Sequence, residues 1–281
     1  MRCQWQELLN LLPIWLRDPV DRQGREDMEE LRLRLNLQPQ IIGRHGISPV
    51  NRTISPEDLH FCLNSATKYS PWTSTSITQG FVTSAGGHRI GICGECVYDG
   101  NLLRNISPIS SVCIRVARDF RGISGDCYQI PGSILIIGKP GSGKTTFLRD
   151  LVRKISDDTI ESITVIDQRR ELFPCSRGEF TFERGKNTDI LSGCNKQQGI
   201  EMAIRTMNPA TVAVDEITSE VDCDAMIGAA WCGVRLIATA HAENQQELMS
   251  RTVYRSLLEH HIFAHLIVLH RDKTWHKEVL K

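Results

Sequence analysis

The sequence has no excess of either charge: 33 lysines and arginines stand against 33 aspartates and glutamates. A neutral chain has no overall field to draw it onto nucleic acid or an anionic membrane, which leaves such binding to local patches. Aromatic residues are scarce, at 6%, so the stacking platforms of single-strand binders are missing and nucleic acid is not an expected partner. No apolar run approaches the ~20 residues that cross a bilayer, so work at a membrane requires a partner held there. An export signal is absent as well. Arg2 is the only early cation, Gln4, Gln6 and Glu7 interrupt the first apolar run, Pro13 breaks it, and no small-residue cleavage site follows. Ten cysteines are many for this length, but Cys93 and Cys96 form the only CxxC pair and no second pair stands at zinc-finger spacing. The expectation is reduced thiols in a cytoplasmic protein, with Cys93 and Cys96 as small residues of a strand and turn.

What remains is an ordinary soluble composition, 41% hydrophobic and 23% charged, in 281 residues, which is room for two domains. Trp5 to Leu16 reads as one short apolar helix. Leu31, Leu33 and Leu35 alternate with Arg32 and Arg34, the period of a half-buried strand. Ser55, Pro56, Glu57 and Asp58 form a helix start, followed by Leu59, Cys62, Leu63 and Ala66 on one face. Gln79 to Thr83 and His88 to Cys93 flank Gly86 and Gly87 as a hairpin, and residues 111–116 add a strand. Residues 1–125 are therefore expected to form a small α+β domain. Gly122, Gly125, Pro131 and Gly132 mark 119–132 as a linker. Beyond it, short apolar runs at 133–137, 162–166, 211–214, 234–238 and 266–269 alternate with helix-length segments. That rhythm predicts an α/β domain over 126–281, a RecA-like parallel sheet covered on both faces.

The strongest chemical signal is Gly138, Lys139, Pro140, Gly141, Ser142, Gly143, Lys144 and Thr145, a full match to GxxxxGK[ST], with Thr146 behind it. A β run leads in and a helical run leads out, the context this phosphate-binding loop requires. Glycines let successive N–H groups curl around phosphates, and the helix presents its positive end. ATP is the expected ligand, with Lys144 on the β- and γ-phosphates and Thr145 on Mg²⁺. The run Thr211, Val212, Ala213, Val214 then ends in Asp215 and Glu216. Acids at a strand's carboxyl end stand where open α/β sheets bind ligands. Asp215 is expected to hold Mg²⁺ through water and Glu216 to orient the attacking water. Two further strand ends carry Asp167 and His241. Both are expected near the γ-phosphate, Asp167 as a further metal group and His241 as a phosphate sensor or water clamp.

In chain order, the phosphate loop, the acidic box at 167–171, the Asp215–Glu216 strand end and the box at 238–241 resemble the four motifs of the secretion ATPases of type II and type IV systems. Residues 167–171 stand for the aspartate box, which brings Glu171 into the catalytic set, and 238–241 for the histidine box. The chain is still more similar to the family of stage III sporulation protein AA. That likeness rests on residues 29–34, 79–83, 86–91, 114–118, 202–209 and 233–241 and runs from about residue 28 onward. It departs at Gln168, where the family carries an acid, and at Arg170, where it carries a small polar residue. The resemblance implies a hexameric ATPase ring on the mother-cell side of the channel to the forespore, acting on a membrane protein of that complex. Nucleotide at a subunit boundary calls for an arginine from the neighbour. Arg89, Arg115, Arg118, Arg169, Arg170 and Arg205 are candidates. Arg205 is the closest in sequence to the chemistry, and Arg115 and Arg118 are suited to action in trans. Two other readings stay open, a nucleic-acid-dependent RecA-like ATPase and an ATP-gated assembly factor without essential turnover.

Overall fold

The computed structural model describes residues 1–67, 80–84, 86–176 and 179–280. The chain divides into two compact units, Met1–Asp119 with Pro174–Thr181, and Phe120–Phe173 with Phe182–Lys281.

In the first unit the expected single N-terminal helix is two, α1 (Trp5–Asn10) and α2 (Ile14–Gln23). Pro13 sits between them in extended conformation, with no N–H to continue α1. Next come β1 (Met28–Arg34), β2 (Gln40–Gly43), β3 (Gly46–Pro49), α3 (Pro56–Thr67), β4 (Phe81–Thr83), β5 (Arg89–Asp99) and β6 (Leu102–Arg115). The strands form an antiparallel sheet in the order β3-β2-β1-β6-β5-β4. Gln79, read as the start of β4, lies outside the described residues. Alternation works as expected in β1, where Leu31 and Leu33 are fully buried against Leu8, Leu12, Leu16 and Leu59. The α3 start is a reciprocal box, with Asp58 N–H on Ser55 Oγ at 3.3 Å and Ser55 N–H on Asp58 Oδ2 at 3.0 Å. β4 pairs with β5 only at Arg89 to Gly91, and β1 pairs with β6 only from Ser111 to Arg115. β5 and β6 thus run on as a two-stranded ribbon that turns at Gly100 and Asn101, with Val97, Tyr98 and Leu102 exposed. Cys93 and Cys96 lie exposed on β5, and all ten cysteines are free thiols.

The segment read as a linker is instead packed into the second unit. Asp150 accepts hydrogen bonds from Gly122 N–H (3.0 Å), Ser124 N–H (2.8 Å) and Ser124 Oγ (2.7 Å), and Ser124 and Cys127 are wholly buried. From there the chain runs through β7 (Ile134–Gly138), α4 (Lys144–Asp158) and β8 (Ile163–Asp167). It passes β9 (Cys175–Ser176) and β10 (Glu179–Phe180), which pair antiparallel, and reaches β11 (Thr188–Ser192). α5 (Lys196–Met207), β12 (Thr211–Val214), α6 (Glu220–Trp231), β13 (Arg235–Ala240), α7 (Gln245–Ser250), α8 (Arg255–Glu259), β14 (His265–Leu269) and β15 (Trp275–Val279) complete it. The sheet order is β11-β8-β12-β13-β7-β14-β15, parallel except for β15 at the edge. The central strands are buried on both faces, as crossover helices require. β7, β12 and β13 therefore deliver their carboxyl ends side by side at one rim.

Candidate active site

The loop between β7 and α4 is held by a close approach that only glycine allows. A Cβ on Gly138 would meet Ser142 Oγ at 2.5 Å and Leu269 O at 2.7 Å. Gly143, at φ 103°, turns the chain into α4, whose first N–H groups face the loop with the helix's positive end behind them. Two outer lysines brace this loop: Lys139 pairs with Glu243 at 2.6 Å, and Lys273 donates to Gly141 O at 2.7 Å.

Lys144 is 7% exposed. Its ammonium donates to Gly138 O (2.7 Å) and Lys139 O (3.2 Å), and its third contact is His241 Nδ1 at 3.1 Å. Burial pushes its pKa below the usual lysine range, and the charges of Asp215 and Glu216 pull it back up in part. Because Lys144 can only donate, His241 Nδ1 is the acceptor. That fixes the tautomer, so His241 Nε2–H donates to Glu216 Oε1 at 3.3 Å. The other side of the Glu216 carboxylate pairs with Arg169. A line of polar contacts thus runs from the loop lysine through the imidazole to the acid.

Beside this line Thr145 Oγ1 donates to Asp215 Oδ2 at 2.8 Å. A hydroxyl and a carboxylate beside the phosphate loop are the hard oxygen groups that suit Mg²⁺, Thr145 as a ligand and Asp215 through water. Among the described residues no cluster of three or more His, Cys, Asp or Glu could hold a metal ion. Glu216 has a left-handed backbone, φ 57°, a conformation that costs a non-glycine residue on the order of 1 kcal/mol. Its N–H is held by Thr239 Oγ1 at 2.7 Å.

Asp167 stands at the end of β8, but its carboxylate is turned into its own loop. It is 2% exposed, and its two oxygens accept Glu171 N–H and Phe173 N–H, each at 2.9 Å. Burial pushes its carboxyl up to about 6, against the lowering effect of those backbone bonds. Its expected role as a metal group gives way to that of a loop cap. Glu171 lies in this loop, which Arg149 of α4 grips through Leu172 O (2.5 Å) and Glu171 O (2.8 Å). The loop presents Arg169 to Glu216. Arg205 is not brought to the cluster. It is exposed on the last turn of α5, with Nε on Glu201 O at 3.3 Å, because α5 leads into the amino end of β12 whereas the acids follow its carboxyl end. In the first unit Arg89 lies over the Phe81 ring at 4.1 Å and Arg115 pairs with Glu30 at 3.9 Å. Arg118 donates to the carbonyls of Arg25 and Met28.

With this geometry in view, comparison with known proteins is decisive on ancestry. The family model described as sporulation stage III, protein AA, matches residues 4–278. The chain belongs to that family. Stage III sporulation protein AA of Bacillus subtilis (strain 168) is 33% identical over 280 residues, spanning 95% of this chain and 91% of the relative. Among solved structures, the Legionella pneumophila ATPase DotB aligns with a TM-score of 0.57 at 14% identity, covering 95% of this chain and 79% of its own. The pilus retraction motor PilT, solved with bound ADP, aligns at 0.59 and 16% identity, covering 90% and 76%. At such identities the likeness is one of fold alone.

In this member of the sporulation stage III protein AA family the sequence motifs bring Lys144, Thr145, Asp215, Glu216 and His241 together, with residues 138–143 forming the loop beneath them and Thr146 half-buried behind. Two contributors escaped sequence reading. Thr239 sits inside the histidine box but reads as one more β-branched strand residue. Tyr254, whose hydroxyl accepts the His241 N–H at 3.4 Å, lies in a helical segment with no motif to mark it.

Proposed function

We propose that this chain is a Mg²⁺-dependent, secretion-type ATPase, working as a hexameric ring to energise the channel complex between mother cell and forespore. The hydrolytic part rests on one observation, the unbroken line Lys144–His241–Glu216 with the Thr145–Asp215 pair beside it. Family membership supports the sporulation setting. No helix among the described residues is long and apolar enough to cross a membrane, so a membrane protein of the complex is the proposed anchor.

In this reading the N–H groups of the loop and of the first turn of α4 seat the phosphates of ATP. Lys144 exchanges the carbonyls of Gly138 and Lys139 for β- and γ-phosphate oxygens. Its burial favours that exchange, because a poorly solvated ammonium gains from an anion. Thr145 and Asp215 are the residues that would hold Mg²⁺, which supplies charge neutralisation between the two phosphates. Glu216 orients the attacking water and takes its proton. His241 keeps that carboxylate in register with Lys144, so the base and the phosphate clamp move together.

The test is steady-state ATP hydrolysis over a protein concentration series, with Glu216→Gln and Lys144→Ala alongside. The expected result is a specific rate that rises with concentration, is lowered on the order of 10²–10³-fold by Glu216→Gln with nucleotide still bound, and vanishes together with binding in Lys144→Ala. A Glu216→Gln protein at the wild-type rate overturns the reading. Wild-type protein that binds ATP without turnover, alone and with its complex, points instead to an ATP-gated assembly factor.

A further inference from the structure

Thr239 touches neither the phosphate loop nor Lys144 in any hydrogen bond described above, yet it is wholly buried beside the two acids. Its one hydroxyl serves both. It accepts the Glu216 N–H at 2.7 Å and sends its proton to Asp215 Oδ1 at 2.6 Å. The Thr239 carbonyl takes the next amide, Ile217 N–H, at 2.9 Å. One residue therefore grips both sides of the peptide turn that leaves β12. That turn is the left-handed one at Glu216, and such a conformation persists only where its surroundings fix it. The side chain it aims lies between Arg169 and His241. Asp215, at the far end of the same hydroxyl, is paired through its other oxygen with Thr145.

We infer that Thr239 is the positioning residue for Glu216. Its hydroxyl locks the left-handed turn that points the acid at the reacting water, and it links that turn to Asp215. A single oxygen atom thus ties the Glu216 backbone to Asp215, one of the residues that would hold the cation. β-Branching suits position 239 to its strand, but only the hydroxyl performs the link. Valine reproduces the shape without it, and serine keeps it with less bulk. The inference rests on the hydrolytic reading above, so its test includes a measurement made without nucleotide.

Thr239→Val and Thr239→Ser are compared with wild type in three ways. Amide hydrogen exchange at Glu216 is read without ligand, ADP affinity is read by titration, and kcat is read at saturating ATP. The Val variant should exchange the Glu216 amide at least about tenfold faster. It should lose on the order of 10²-fold in kcat while binding ADP within about threefold of wild type, and Ser should restore the exchange rate and kcat. Thr239→Ala, also lacking the hydroxyl, replaces Val if the latter fails to fold. Native exchange at Glu216, or undiminished kcat, in a folded variant without the hydroxyl overturns the inference. Hydroxyl-dependent exchange in a wild-type protein that hydrolyses nothing supports the lock and sinks the hydrolytic reading instead.

Discussion

At the scale of single residues, the site is a set of polar groups that already hold one another. Lys144, His241 and Glu216 satisfy each other, and Thr145 and Asp215 do the same. Asp167 shows what burial does to a group outside this set. Its folded pKa of about 6 lies above the ordinary 3.8, so the folded state holds its proton more tightly than the unfolded chain. The contribution is present below pH 4 and is lost as pH rises through about 6, on the order of 1–3 kcal/mol. Asn at this position cannot titrate. The melting temperature of wild type minus that of Asp167→Asn should therefore fall as pH rises from 4 to 7, and a flat difference would show that Asp167 is not so perturbed. This residue also marks the limit of sequence reading. A motif says that an acid stands at a strand end, and parallel strands bring such ends to one rim, which is why Asp215, Glu216 and His241 were legible. Whether an acid's oxygens face the rim or its own loop depends on the following backbone. For Arg205, proximity along the chain was no guide, because the helix carries it to an exposed face.

At the scale of elements, α4 does more than follow the phosphate loop. Its buried Arg149, at 4% exposure, holds the loop after β8 by two carbonyls, and that loop carries Arg169 to Glu216. Lysine keeps the charge but not the planar fork. Arg149→Lys should destabilise the protein by about 1–3 kcal/mol in urea unfolding and lower kcat by more than it weakens ADP binding. Equal losses in both would mean that the loop serves nucleotide binding alone. The buried strands β7, β8, β12, β13 and β14 were readable because continuous apolar runs have few other homes in an α/β chain. β11 and β15 were not, because edge strands are half-exposed and lack that signal, with only one residue of β11 and none of β15 buried. The break at Pro13 was visible as a proline, but its consequence, a second helix of ten residues rather than an end, depends on Leu16 and Val20 packing into the first unit's core.

At the scale of the whole molecule, each unit holds a buried titratable group, His88 in the first and Asp167 in the second, and these two respond to acid in opposite directions. In the first, His88 is fully buried, its Nδ1 accepting Ala117 N–H at 3.1 Å and its Nε2–H donating to Gln4 O at 3.0 Å. Burial pushes its pKa down to about 4 from 6.5. Its contribution is present above pH 6.5 and is lost as pH falls towards 4, on the order of 3 kcal/mol. Asp167, in the second unit, gains over the same interval. Calorimetry from pH 7 to 4.5 should show a His88→Gln protein losing less stability than wild type and an Asp167→Asn protein losing more, each in the transition of its own unit. A single transition moving as a whole would mean that the units unfold together.

The ribbon of β5 and β6 has a practical consequence for handling the protein. Its turn at Gly100 and Asn101 stands beyond the last strand that braces either side, so the backbone there carries no neighbour's register. A short affinity epitope spliced between those two residues should leave the first unit's melting temperature unchanged. It would provide a capture handle for retrieving the protein from cells, with whatever it binds, while both chain ends stay unaltered.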